Sequence, residues 1–345
     1  PPPPPPPPSW GAPPPGTPWG AQPPYPYGWA PYAYPQQPPI GSGRFRAMNL
    51  GELFDAVFSL YRRNFLLIAA ISAIVQVPYG VLTFVLYQVI NYSSLQDQLQ
   101  NAEQSLANPG AGTDQLQPIF NAIGPIFAVS GILALVAVFV VLPLAEAATT
   151  RAVSDRYLDR PASIGASYAS AVRRLGALVL QSLILTLGFA VVLVVAFLLS
   201  AVLAATLGAG AIPLIVLIFG VVVVLGVLVY VRTSLAPPAI VLERLSGWRG
   251  LVRSWHLVSG LFWRMLGIRL LLGLITGVIS GIVVFALTLA GVGLDTNGRF
   301  ILSEIASAFA AVFVSPVTYI AVTLLYYDAR IRKEGFDIEM LAQAL

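Results

Sequence analysis

The chain has 345 residues, of which 57% are hydrophobic and only 10% are charged, and its formal net charge is +4. Soluble globular domains carry about 25% charged residues, so this composition excludes an ordinary soluble enzyme and predicts a multi-pass integral membrane protein. The basic residues adjoin apolar runs instead of sharing one soluble face, which excludes a nucleic-acid-binding domain and a nucleic-acid partner.

Residues 1–43 form a tail that is rich in proline, tyrosine and tryptophan and has no charged residue. Proline supplies no backbone donor, and the tail shows neither a helical nor a strand period. We therefore predict that the tail is disordered and cytoplasmic. It is a candidate docking arm for a protein partner, and the alternative is a passive tether. Residues 44–345 are predicted to form one membrane domain.

Six apolar runs in residues 44–345 predict six transmembrane helices, paired into three hairpins, so the fold is expected to be all-α. Each run is long enough for the ~20 residues that a crossing helix needs. The approximate spans are 65–90, 119–148, 175–206, 212–232, 262–291 and 301–327. Four prolines are expected to kink these spans: Pro78, Pro125, Pro143 and Pro316.

The basic residues predict the orientation of the spans. All of them except Arg299 lie in four segments, 44–63, 151–174, 232–269 and 330–333, which alternate with the outer links. The positive-inside rule makes their side cytoplasmic, and six crossings then return both termini to the cytoplasm. Arginine in great excess over lysine, with abundant alanine, glycine and proline, suggests a GC-rich bacterial genome. The expected location is therefore a bacterial plasma membrane.

A degenerate repeat accompanies the three hairpins. Each hairpin is preceded by an amphipathic segment that is predicted to lie at the membrane surface, and these segments are 49–64, 163–175 and 246–262. Asn49 and Glu52 stand at capping-box spacing at the start of the first segment. Each hairpin also ends in a mixed acidic and basic cluster, which reads SDRYLDR at 154–160, LERLSG at 242–247 and YDARIRKEG at 327–335. We interpret these clusters as charged exits from lipid into water.

Small residues recur at a spacing of four in the last two spans, which predicts close packing between them. The residues are Gly273, Gly277 and Gly281 in the fifth span and Ser303, Ser307, Ala311 and Ser315 in the sixth. The interface of a homo-oligomer is the alternative use of the same row.

Polar residues near the spans are candidates for intramembrane contacts, and they are Glu146, Arg232, Arg269, Gln76 and Gln181. A pair between Glu146 and either arginine is interpreted as a structural ion pair or as snorkelling side chains, and the alternative is a gate or a substrate contact. Anionic lipid headgroups are the predicted partners of the surface residues Arg330, Arg332, Lys333, Trp248 and Trp255. Asp328 and Arg330 are expected to pair locally.

The sequence offers no catalytic, metal-binding or cofactor-binding constellation. His256 is the only histidine, cysteine is absent, and no phosphate-binding glycine motif is present. We therefore expect a protein that is not an enzyme and that carries no cofactor.

Two stretches carry a resemblance to a known family. They are APPAIVLERLSGWRGLVRSWHLVSGLFWRMLG, which begins at residue 236, and LLYYDARIRKEGFD, which begins at residue 324. With them, residues 44–345 resemble bacterial membrane proteins of the glycerophosphoryl diester phosphodiesterase membrane-domain type. The resemblance implies a multi-span accessory domain, and no residue here matches the metal site of the soluble phosphodiesterase that accompanies some members. The expected function is a non-enzymatic accessory or scaffold protein of the cell envelope. The alternative is a transporter or lipid-handling protein with a substrate path between the hairpins.

Overall fold

The computed structural model describes residues 46–106 and 116–335, so the predicted tail at 1–43 lies outside the described residues. Within the described ranges every regular element is a helix. The α-helices are α1 (Leu50–Arg63), α2 (Phe65–Val89), α3 (Tyr92–Leu106), α4 (Leu116–Val136), α5 (Leu142–Tyr157), α6 (Ile164–Leu207), α7 (Ile212–Thr233), α8 (Ala236–Leu242), α9 (Gly247–Val258), α10 (Phe262–Ala290), α11 (Thr296–Phe313) and α12 (Ser315–Glu334).

Five helical stretches of the described residues are long and apolar enough to cross a membrane. They are Phe65–Val89, Ile123–Tyr157, Ile164–Leu242, Phe262–Ala290 and Thr296–Glu334. This confirms an all-helical fold with several candidate membrane helices. The third stretch has 79 residues and includes both α6 and α7.

The 79-residue stretch reverses direction between α6 and α7. Gly208 ends α6 with a φ of 56°, and a short 3-10 turn at Gly208–Ala211 leads into α7. A positive φ is readily adopted by glycine, which has no Cβ. Phe189 of α6 lies 3.4 Å from the position that a Cβ on Gly226 of α7 would occupy. The two helices therefore lie side by side as an antiparallel hairpin.

The first amphipathic segment folds as its sequence predicts. Asn49 caps α1: its side chain accepts a hydrogen bond from the Glu52 backbone at 2.9 Å, and the Glu52 carboxylate accepts one from the Asn49 backbone at 2.9 Å. The capping box is therefore confirmed, and it satisfies two backbone donors that the first helical turn leaves without partners. Leu53 and Val57 are buried on the inner face of α1.

The capping box predicts a dependence of stability on pH. The hydrogen bond from the Asn49 backbone and the Arg46 guanidinium lower the pKa of Glu52 below its ordinary value of 4.5. A lowered folded-state pKa contributes stability above the unfolded pKa, and this contribution is lost as the pH falls through the folded pKa. We expect Glu52→Gln to have a lower melting temperature than the wild type at pH 7, with the gap closing below about pH 4. Thermal unfolding in detergent at pH 7 and below about pH 4 measures the difference in melting temperature between the variant and the wild type. A difference that is unchanged at low pH would contradict the role of the Glu52 carboxylate in the capping box.

The second amphipathic segment is not a separate helix, so the predicted boundary near residue 175 is wrong. Ser163 accepts a hydrogen bond from the Ala166 backbone, and α6 then runs for 44 residues to Leu207. No proline interrupts this run, and an isolated glycine such as Gly176 is tolerated within a helix. The segment 163–175 is therefore the first part of α6.

The third amphipathic segment and the sixth span also differ from their predicted bounds. Helix α9 ends at Val258, before the predicted residue 262, because Gly260 adopts a φ of 80°. The sixth span is divided between α11 and α12 at Val314 and extends from Thr296 to Glu334. Pro316 lies in the first turn of α12, where the missing proline N–H costs least.

The buried core lies at the basic end of the domain. Leu53 of α1, Leu257 of α9, Met265 of α10 and Tyr326 of α12 are each at most 1% exposed and belong to one apolar cluster. By contrast, only 6% of the most apolar window of residues in the α6–α7 stretch is buried within the protein. Apolar side chains that face lipid need no protein cover, so this exposed apolar surface is compatible with a membrane protein.

The glycine row of α10 does not make the predicted backbone-to-backbone contact. A Cβ on Gly273, Gly277 or Gly281 would meet no heavy atom within 4 Å. Gly273 and Gly277 instead line a groove of about 320 Å³ whose other side includes Ser315 and Tyr319 of α12. This face of α10 is therefore open towards the groove.

The open groove predicts the outcome of alanine substitution. Because the glycines meet open space and alanine is the better helix former, Gly277→Ala should raise the free energy of unfolding by up to about 1 kcal/mol. Unfolding in mixed detergent micelles measures this change. A loss of stability, or dissociation of an oligomer on a sizing column, would show that the glycine row is packed against another surface.

Candidate functional site

The three predicted charged exits meet at the basic end of the domain. The Ser154 hydroxyl at the end of α5 lies 2.7 Å from the Tyr327 hydroxyl of α12. The neighbouring Tyr326 hydroxyl donates to the Glu243 carboxylate, which follows α8. We call this assembly the charged junction. Its members are Ser154, Glu243, Arg253, Arg264, Tyr326, Tyr327, Asp328, Arg330, Arg332 and Glu334.

Asp328 is the most deeply buried charge of the junction, with no exposed surface. One carboxylate oxygen accepts a hydrogen bond from the Met48 backbone at 2.9 Å. The other oxygen accepts bonds from Arg264 at 3.1 Å and from Arg332 at 3.0 Å. Both guanidiniums also donate to the Met48 carbonyl at 2.7 Å. Both oxygens of the carboxylate therefore have hydrogen-bond partners within the protein. These bonds link the residues that precede α1 to α10 and α12.

The expected pair between Asp328 and Arg330 is wrong. Residues two apart lie on different faces of a helix, whereas residues four apart are neighbours. Asp328 therefore pairs with Arg332, and Arg330 pairs with Glu334 at 3.1 Å.

Arg253 of α9 joins two carboxylates at the other side of the junction. Its Nε lies 2.9 Å from both oxygens of Glu243, and its Nη2 donates to Glu334 at 2.9 Å. Burial lowers the pKa of the Arg253 guanidinium, but the hydrogen bonds with Glu334 and Glu243 outweigh burial and raise the pKa above its ordinary value. Arg253 therefore stays charged and ties α9 to α12 and to the end of α8.

The predicted headgroup residues divide into two kinds. The three cations of α12 have protein acceptors: Arg330 and Arg332 form the ion pairs above, and Lys333 donates to the Ser259 hydroxyl at 2.7 Å. Trp248 and Trp255 are 61% and 41% exposed on α9. The two tryptophans are therefore exposed, and their contact with lipid headgroups stays a prediction.

The predicted intramembrane polar residues are brought together in part. Arg269 donates to the Tyr230 hydroxyl at 2.9 Å and to the Ser234 carbonyl at 3.1 Å, and it interacts electrostatically with Glu146. Arg232 instead lies over the Trp255 ring, 4.9 Å from its centroid. Of the two arginines, Arg269 is therefore the one whose charge acts on Glu146, and a direct ion pair between them stays a prediction.

The two glutamines contribute to the core instead of to this pair. Gln76 of α2 and Gln181 of α6 are 6% and 8% exposed. They are buried on two separate helices.

Several junction residues were missed by sequence reasoning. Arg253 and Arg264 were used only to predict the orientation, and Glu243 and Glu334 were interpreted only as members of two of the three charged exits. Recurrence of an acidic residue at each exit was the available signal, because the three predicted hairpins would bring their charged ends to the same end of the domain.

The described part of the chain contains no group of three histidine, cysteine, aspartate or glutamate residues close enough to hold a metal ion. His256 is exposed on α9 and contributes its backbone carbonyl to Lys333.

Comparison with known proteins places the chain in a family. Residues 48–329 match a family described as Domain of unknown function (DUF7847). The chain belongs to the DUF7847 family. No curated protein and no solved structure matches it. In this DUF7847 member the matched region begins at Met48 and includes Asp328, so the most buried part of the charged junction lies within the family domain.

Proposed function

We propose that this protein is a non-enzymatic multi-pass membrane protein that acts as an accessory or scaffold component of a bacterial cell envelope. The proposal rests on one observation, which is that the charged groups of the junction form ion pairs and hydrogen bonds with one another within the protein. A binding or catalytic site usually presents convergent polar groups to an open pocket. Here the Asp328 carboxylate is fully buried and its partners come from three separate parts of the chain.

The junction is suited to hold the helix ends at the basic end of the domain as one rigid surface. We call this surface the platform, and we place it on the cytoplasmic side of the membrane. It links α5, α8, α9, α10 and α12, and residues leading into α1 complete it. The proposed topology has six crossings, because the α6–α7 hairpin supplies two and the other four candidate stretches supply one each. Both termini are then cytoplasmic. The resemblance to phosphodiesterase-associated membrane domains supports the accessory role.

Reconstitution of the purified chain into liposomes tests the absence of catalysis. The proposal predicts no hydrolysis of phospholipid or glycerophosphodiester above empty liposomes.

A photo-crosslinking residue at exposed Arg249 on the platform should capture one defined membrane partner in the cells of origin, with the same substitution at exposed Leu274 of α10 as the control. Turnover by the reconstituted protein, or identical adducts at both positions, would contradict the scaffold role.

The groove beside α10 favours the second candidate, a lipid-handling protein. It is lined by small and hydroxyl-bearing residues, including Thr276, Ser280 and Thr318. A lipid-scrambling assay with a fluorescent lipid and an outside quencher separates the candidates, because a scaffold gives no exchange between leaflets. Exchange that is abolished by Gly277→Leu, which would fill the groove, would replace the scaffold proposal with the lipid-handling one.

A further inference from the structure

Four arginines line one pocket on the basic end of the domain, apart from the charged junction. The pocket has a volume of about 400 Å³ and lies between α5, the start of α6 and the segment after α8. The arginines are Arg151, Arg173, Arg174 and Arg244. This volume falls within the range of roughly 300–1,000 Å³ that is typical of small-ligand sites.

Hydrogen bonds with the protein hold three of these side chains in place. Arg151 pairs with the nearly buried Asp155 at 3.0 Å, and Arg173 donates to the Ala169 carbonyl at 3.0 Å. Arg174 donates to the Arg244 carbonyl at 3.2 Å. A guanidinium carries five N–H donors in a planar fork, so each arginine keeps donors for a further acceptor.

The charge balance of the pocket favours an anion. Within the described residues, the Asp155 carboxylate pairs with Arg151 and so neutralises one of the lining arginines. The other three guanidinium charges around the cavity repel one another, and a bound anion relieves that repulsion. Phosphate groups match arginine best, because two parallel N–H donors can bind two phosphate oxygens.

The pocket lies beside an exposed apolar strip of α6. Val172, Leu180 and Leu187 of α6 are 57%, 43% and 56% exposed, and Val172 adjoins Arg173. An apolar strip that begins next to a basic cavity suits a ligand with a charged head and hydrocarbon tails. Basic pockets between membrane helices on the cytoplasmic side are a known form of anionic-lipid site.

We propose that this four-arginine pocket binds the phosphate of an anionic phospholipid headgroup. The proposal rests on the membrane placement of the proposed function and adds a ligand to it. It assigns headgroup recognition to Arg173, Arg174 and Arg244 instead of to the paired cations of α12.

Binding of phosphatidylglycerol to the purified full chain tests the proposal, with phosphatidylcholine as the neutral lipid. We expect the variant Arg173→Gln, Arg174→Gln, Arg244→Gln to bind phosphatidylglycerol on the order of 100-fold more weakly. The matched control is Arg62→Gln, Arg63→Gln, Arg249→Gln, which removes the same charge from exposed positions of the same end. This control should bind within a few-fold of the wild type. An equal loss in both variants, or no loss in either, would overturn the proposal.

A second arm separates a lipid headgroup from a free phosphate. Inorganic phosphate and glycerol phosphate are titrated against the detergent-purified chain and its pocket variant. The lipid assignment predicts saturable, arginine-dependent binding of phosphatidylglycerol and no displacement by millimolar soluble phosphate. Full displacement would assign the pocket to soluble phosphate compounds and overturn the lipid assignment.

A single substitution covers the case in which the triple variant does not fold. Ser170→Glu places a carboxylate at the pocket wall, where it should pair with the arginines and compete with the lipid phosphate. Wild-type affinity in a folded Ser170→Glu protein would also contradict the proposal. These results are independent of the turnover, crosslinking and scrambling assays, so each proposal can fail separately.

Discussion

Replacing Asp328 with asparagine is expected to lower the free energy of unfolding by about 3–5 kcal/mol, since removing one partner of a buried ion pair leaves uncompensated charge. The Asp328 carboxylate is fully buried between Arg264 and Arg332 and also accepts the Met48 backbone N–H. An amide keeps the shape of the side chain but loses the negative charge. Unfolding in mixed detergent micelles measures the loss.

Asp55→Asn is the matched control for this prediction. Asp55 is exposed on α1, and surface substitutions usually change stability by less than about 0.5 kcal/mol. The double variant Asp328→Asn, Arg332→Gln should lose less than the two single variants added together, because the residues share one network. Equal stability of Asp328→Asn and Asp55→Asn would show that the junction does not hold the domain together.

The second large effect is expected from Gly247→Ala, at the point where α9 meets α6. A Cβ on Gly247 would lie 2.5 Å from the Ala177 carbonyl oxygen and 2.9 Å from the Gln181 nitrogen. Both are backbone atoms of α6, so the clash is relieved only by moving a helix. We expect a loss of about 2–3 kcal/mol, in the range for overpacking a close contact.

Gly176→Ala, on α6 itself, is the control for Gly247→Ala. A Cβ on Gly176 would meet nothing within 4 Å, so the gain in helix propensity should leave stability equal or higher by up to about 1 kcal/mol. The pair of variants is compared by thermal unfolding in one detergent. If Gly247→Ala leaves the stability unchanged, α9 does not pack against α6 as closely as these distances indicate.

Local signals predicted the elements that local interactions determine. The capping box of Asn49 and Glu52 involves residues three apart, and the helix begins where the spacing predicts. Apolar runs likewise predicted the membrane helices, because their length and composition decide whether they can enter lipid. The end of α6 was predicted to within a residue, since Gly208 follows directly.

Other features depend on contacts that a single stretch does not reveal. Met48 and Asp328 are 280 residues apart in sequence, and nothing near either residue indicates the other. The spacing of the α10 glycines is compatible with close packing, but only the path of α12 shows that a groove remains. The convergence of the four pocket arginines was not predicted, because it requires α5, α6 and the segment after α8 to be adjacent.

Cysteine accessibility tests the central claim, which is that the basic platform and the α6–α7 turn lie on opposite sides of the membrane. The chain has no cysteine, so a single introduced thiol gives an unambiguous signal. Gly210→Cys in the turn and Arg249→Cys on α9 are both exposed positions. With a membrane-impermeant maleimide, Gly210→Cys should be labelled on intact cells and Arg249→Cys only after permeabilisation. Labelling of Gly210→Cys only after permeabilisation, or of Arg249→Cys on intact cells, would contradict the account.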